Sequence, residues 1–169
     1  MTHYYSPTHL ETWISLRYKR LNILTPQDLT EERICKAYRI FFKRWDRPSF
    51  SINEGNLKMI SINSTLHYSE QREQFFHELC HVLRHTGRQL MMPKAFRELQ
   101  EWDANNFVRY AAIPYHMLHS LDLNNPCITT IMSDTFKVTP KLCEERLQKI
   151  KNNAKQKEAT HGKSRYVSS

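Results

Sequence analysis

Residues 77–81 read His77-Glu78-Leu79-Cys80-His81, and that spacing constrains the chain more than any other feature. Two imidazoles four residues apart share a face of a helix, where they stand about 6 Å apart along the axis. The flanking residues predict this helix independently of the histidines. Ser69 can cap its start, and Arg72, Phe75, Phe76, Leu79, Val82 and Leu83 carry a helical period toward His85, with Gly87 as a stop signal. Imidazoles so placed can converge on one divalent cation. The neighbouring Glu78 then lies on the flank, where its carboxylate can accept a proton from a water activated by zinc. With nine His and twelve Glu among 169 residues, chance would place the triplet somewhere in the chain about 3% of the time.

A catalytic zinc takes a third protein ligand and keeps one position open. From the residues alone, several candidates stand. Glu98, Glu101 and Asp103 lie on the next helix, predicted from about Ala95 to Ala112 and limited by Pro114. His116 and His119 follow it. His85 lies about 12 Å beyond His77 along the same helix, too far to be a ligand; it reads as a helix-end histidine near the negative dipole, with a place behind the ligands as the alternative. Cys80, off the line joining His77 and His81, reads as a small buried side chain.

The rest of the chain alternates between helix and strand textures. Thr8 to Arg20 has a buried stripe of Leu10, Trp13, Ile14 and Leu16. Thr25-Pro26 opens a short helix toward Ala37. Tyr38–Phe42, Phe50–Ile52 and Leu57–Ile62 read as three short strands, the last two joined by the turn residues Asn53-Glu54-Gly55-Asn56. The expected arrangement is an antiparallel meander packed on the helix of residues 69–85, an α+β fold. A loop through Met91-Met92-Pro93 leads into the next helix, and Tyr115–Leu121 adds a further turn. Ile128 to Ile150 predicts two short helices about a turn at Phe136–Thr139, a helical hairpin with the outline of a helix-turn-helix. The expected division is a main domain over 1–122, a helical segment over 123–152 and a disordered basic tail over 153–169.

The net charge of +8 is uneven. Residues 141–169 hold 8 Lys and Arg against 3 Asp and Glu, whereas residues 61–140 hold 7 against 8. A basic end can meet nucleic acid or an acidic partner, but the polar tail reads first as solvated chain, so direct nucleic-acid binding is not favoured. No G-x-G-x-x-G or phosphate-cradling loop occurs, and Gly numbers only 3. No apolar run is long enough to span a membrane and no secretory leader is evident. Four widely spaced cysteines, Cys35, Cys80, Cys127 and Cys143, suit thiols in a reducing compartment. The expected location is the cytoplasm.

The run Arg72-Glu73-Gln74-Phe75-Phe76-His77-Glu78-Leu79-Cys80-His81, followed by Glu101-Trp102-Asp103-Ala104-Asn105-Asn106-Phe107 and then Ile113-Pro114, resembles the ImmA/IrrE family of metallopeptidases. Val108 stands where that pattern has a small Ala, and Ala111-Ala112-Ile113-Pro114 replaces its Leu-Leu-Met-Pro ending. Neither departure touches a ligand. The resemblance covers about two-thirds of the chain. It implies a zincin-like fold holding one Zn2+, with His77, His81 and Glu101 as ligands, Glu98 as the fallback, and Glu78 as general base. Asn105, four residues after Glu101 and on the same helix face, is the residue expected to orient a ligand. Tyr110, Tyr115 and His116 are candidate oxyanion donors. The strand Leu57–Ile62 is expected at the cleft edge, where a substrate backbone could pair with it. The implied activity is that of an anti-repressor endopeptidase of integrative and conjugative elements and related phages, which cleaves a helix-turn-helix repressor and so derepresses excision and transfer genes. A competing reading is a metal-containing regulator, or a protein that binds DNA or a repressor without proteolysis.

Overall fold

The structure is a computed structural model that describes residues 5–85 and 92–164. Gly87 and Met91 lie outside the described residues. At the centre stands α3, Tyr68–Arg84. It starts one residue before the expected Ser69 cap. His67 is the N-cap, and the Glu70 carboxylate accepts the His67 backbone N–H at 3.0 Å. Phe75, Phe76, Leu79 and Cys80 are fully buried. With Arg72, Glu78, His81 and Val82 also buried, the helix is wrapped by other elements rather than lying on a surface.

Three helices precede the sheet or cap its approach. α1, His9–Arg20, has a complete capping box between Thr8 and Glu11. The single helix expected from Thr25 divides in two. A 3-10 turn at Pro26–Asp28 is closed by the Asp28 carboxylate on the Leu24 and Thr25 backbone, and Thr30 caps α2, Glu31–Tyr38. The first strand therefore starts later than its β-rich texture suggests. Tyr38 completes α2, and Arg39 in the left-handed region (φ 54°) ends it, so the chain enters β1 only at Phe41–Trp45.

The sheet corrects the meander. β2, Phe50–Glu54, and β3, Leu57–Asn63, form the expected hairpin, with Gly55 at φ 55° in the turn. β1, however, pairs in parallel with β3, from Phe41↔Met59 to Trp45↔Asn63, giving the order β1-β3-β2. The cause is burial. Ile60, Ser61 and Ile62 are buried, while β2 has no buried residue, so β3 takes the middle. The link 46–49 crosses the end of β3 and is pinned there by Ser64 N–H on the Trp45 carbonyl and Asn63 N–H on the Ser49 hydroxyl. β3 is thus no edge strand. The edge beside α3 is β2, held by Asn53 Nδ2 on the Val82 carbonyl at 3.0 Å.

Helix α4, Lys94–Ala112, packs along α3 more extensively than any other element. A 3-10 turn at Tyr115–Ser120 follows, then α5, Ile128–Phe136, and α6, Pro140–Ser164. The α5–α6 turn is buried, with Phe136 and Val138 each 1% exposed. Lys137 takes the left-handed cap (φ 57°), the Arg72 guanidinium donates to the Phe136 carbonyl at 2.7 Å, and Glu73 accepts the Thr139 N–H at 2.7 Å. This turn is packed on α3, as a helical hairpin would be. Its second helix is not short. α6 runs beyond Asn152, where a disordered tail is expected, because contacts continue: Asn153 accepts the Ser6 N–H and Ala154 is buried. Residues 165–169 of that tail lie outside the described residues. One core cluster contains Ile14 and Tyr18 of α1, Phe75 and Leu79 of α3, Phe107 of α4, and Leu147 and Ile150 of α6.

Candidate metal centre

α3 turns His77 and His81 toward α4, and Glu101 on α4 meets them. The two Nε2 atoms are 3.2 Å apart. Glu101 places Oε2 3.1 Å from His77 Nε2 and Oε1 3.4 Å from His81 Nε2. With metal–ligand distances near 2.0–2.1 Å, tetrahedral geometry separates ligand atoms by about 3.3 Å. Two imidazole nitrogens and a carboxylate at these separations fit a zinc ion in both chemistry and spacing. Burial, together with His77 and His85 nearby, holds the His81 imidazole down to about 4, so it is a neutral ring with a lone pair to give. Glu98 is elsewhere, exposed and beside Lys94 at 3.8 Å.

Glu78 is 8% exposed. Burial raises its carboxyl above the usual carboxylate range, and the charge of Glu101 adds to that, against the lowering effects of the Ser51 hydroxyl and of His77. Ser51 donates to Glu78 from β2, a contact nothing in the sequence signals.

Asn105 lines a cleft of about 300 Å³ beside His77, with Glu73, Arg109 and Thr139. The residue behind the histidines is Asp103. It lies 3.0 Å from His85 Nε2 and takes Arg84 Nε at 2.8 Å. His85 in turn sets Nδ1 2.9 Å from His81 Nδ1. So His85, far from being only a helix-end histidine, touches the site. Cys80 is buried as expected, with Sγ 3.7 Å from Asp103.

The three candidate oxyanion donors each pack against another part of the chain. The Tyr110 ring lies under the Arg146 guanidinium at 4.9 Å, Tyr115 packs on Tyr5, and His116 Nε2 is 3.1 Å from the Ile23 carbonyl. His116 also faces Tyr18. These contacts belong to the packing between α1, the second 3-10 turn and α6.

The sequence profile described as the IrrE N-terminal-like peptidase domain matches residues 31–148, which carry α2, the sheet, both halves of the site and the α5–α6 turn. The chain belongs to the IrrE N-terminal-like peptidase family. Two Bacillus subtilis relatives agree with that membership. The phage-like element PBSX protein XkdA is 35% identical over 143 residues, 83% of this chain and 72% of its own length. YqaB is 32% identical over 147 residues, 85% of this chain and 84% of its own length. A solved structure of a Mycobacterium tuberculosis transcriptional regulator shares the fold, with a TM-score of 0.59 at 14% identity; the match covers 80% of this chain and 46% of that one. The fold is α+β: among the described residues, six α-helices surround a small three-stranded sheet. No helix among the described residues is long and apolar enough to cross a membrane.

Proposed function

We propose that this protein is a cytoplasmic zinc metalloendopeptidase that acts as an anti-repressor, cutting a helix-turn-helix repressor encoded by the same mobile element. The observation that carries the reading is the convergence of His77 Nε2, His81 Nε2 and the Glu101 carboxylate within 3.4 Å of one another, with Glu78 on their flank. Family membership supports peptidase chemistry. The phage-like element named in a relative at 35% identity supports a role in mobile-element control.

Zinc held by His77, His81 and Glu101 supplies Lewis acidity toward a peptide carbonyl and toward water. The chain's own residues do the rest. Glu78 takes the proton of the attacking water and hands it to the leaving amine, and its buried, raised carboxyl suits a group that must do both. Ser51 aims that carboxylate. β2, at the sheet edge and bonded to α3, offers its outer backbone groups to an extended substrate segment. Arg109 and Glu145, paired at 2.7 Å, border the cleft next to His77, where substrate side chains could lodge.

The test is co-expression of wild type or Glu78→Gln with a helix-turn-helix repressor encoded by a neighbouring gene, followed by blotting for fragments. Fragments with wild type and at least a 100-fold loss in the variant, at unchanged zinc content, are expected, the loss being of the size general acid–base groups contribute, about 10²–10⁴-fold. Equal cutting by both proteins removes Glu78 from its role. An intact repressor in both, with zinc bound, favours a regulator that works without proteolysis.

A further inference from the structure

His81 uses both ring nitrogens. Nε2 faces His77 and Glu101, at 3.2 and 3.4 Å, while Nδ1 faces His85 Nδ1 at 2.9 Å. Two ring nitrogens at that distance form a hydrogen bond only if one carries a proton and the other a lone pair. The far end of the chain decides which. Asp103 receives two nitrogens of Arg84, at 2.8 and 3.2 Å, as a carboxylate does, and a carboxylate only accepts. His85 Nε2, 3.0 Å from Asp103 Oδ2, is then the donor. When His85 holds a single proton, on Nε2 toward Asp103, its Nδ1 is a lone pair that accepts from His81 Nδ1. The His81 Nε2 lone pair then faces His77 and Glu101.

Cys80, His85 and Asp103 also lie close enough together to suggest a second cation site. Arg84 already occupies both Asp103 oxygens, and His85 Nδ1 is taken by His81. A cation there would displace an existing one.

We propose that His85 and Asp103 are positioning residues: the line of contacts from Asp103 through His85 to His81 Nδ1 holds the His81 ring so that Nε2 is presented to the metal. This rests on the metal reading of His77, His81 and Glu101. Neither residue need touch substrate. Outer partners of metal-bound histidines typically change metal affinity by about 10–100-fold.

The test measures zinc dissociation constants by competition with a chromophoric chelator, and thermal midpoints of the metal-free proteins, for wild type, His77→Ala, His85→Leu, His85→Asn and Asp103→Asn. His85→Leu is expected to bind zinc about 10–100-fold more weakly. His85→Asn, whose side-chain oxygen can accept near the Nδ1 position, should recover most of that loss. Asp103→Asn should weaken binding in the same direction while keeping the shape of the side chain, and it carries the test if His85→Leu does not fold. Imidazole nitrogen NMR of the zinc-loaded protein should show His81 protonated on Nδ1 and His85 on Nε2. Wild-type zinc affinity in folded His85→Leu or Asp103→Asn, or a proton on His85 Nδ1, overturns the proposal. His77→Ala separates the two failures: if it binds zinc as wild type does, the metal reading itself falls and this one with it.

Discussion

At the residue scale, the site turns on which carboxylate completes it. The residues around position 100 offer three acids within six positions, and helical geometry sends them in different directions. Glu101 reaches both imidazoles, Asp103 reaches His85 and Arg84, and Glu98 reaches only Lys94. Glu101→Ala should therefore weaken zinc binding by more than about 100-fold, beyond the loss expected for an outer partner. Glu98→Ala should leave it unchanged. Equilibrium dialysis of both variants checks this, and a loss in Glu98→Ala equal to that in Glu101→Ala would refute the ligand assignment.

At the scale of elements, Arg72 joins three of them. Its guanidinium donates to the Leu29 carbonyl at 2.6 Å and the Phe136 carbonyl at 2.7 Å, and lies 3.7 Å from Glu31, all in the interior. It ties α3 to the entry of α2 and to the α5–α6 turn. Arg72→Met keeps the length of the stem and strands two carbonyls, and leaves Glu31 with Arg44 as its remaining ion-pair partner. Unsatisfied buried groups of this kind cost about 3–5 kcal/mol. Urea unfolding should show a loss of at least about 3 kcal/mol; a loss below 1 kcal/mol would mean that water replaces the guanidinium. The helical period places Arg72 with Phe75, Phe76 and Leu79, but which carbonyls its guanidinium meets depends on what packs around it.

At the scale of the whole molecule, the two ends of the chain are joined by buried charge. Arg146 of α6 is 0% exposed and Glu11 of α1 is 1% exposed, with Nη2 2.6 Å from Oε1, a charge contact reinforced by Tyr5 on Glu11. Burial alone would raise the Glu11 carboxyl, but Arg146, Tyr5 and Thr8 hold it below the usual glutamate range. The folded state therefore binds this proton more weakly than the unfolded chain. The pair's contribution is complete above the unfolded value, near 4.3, and declines as pH falls toward the lower folded value. Glu11→Gln should lose about 3–5 kcal/mol at pH 7. The gap to wild type should narrow as pH drops below about 4. Thermal midpoints across pH 7 to 3 test it, and a gap constant with pH would mean that packing, not charge, joins the ends.

What the sequence determined by itself was local. The helix of residues 69–85, the shared face of His77 and His81, the flanking position of Glu78 and the β2–β3 hairpin turn all follow from residues within a few positions of one another, because helix and turn geometry repeat over that range. Resemblance extended the reading to Glu101, 24 positions from His77, and the structure brings the two together. Three features were settled only by tertiary structure. β1 joined β3 in parallel, leaving β3, the most buried strand, at the protected centre of the sheet, a pairing that no single strand reveals. Ser51 met Glu78, and His85 met Asp103, because the sheet and α4 close on opposite flanks of α3. α6 is helical past Asn152, where Asn153 accepts the Ser6 N–H and Ala154 is buried, contacts that its polar composition does not announce. The motif states which atoms can hold a metal; the packing of α4 and the sheet against one helix decides where those atoms point and which neighbours govern their protons.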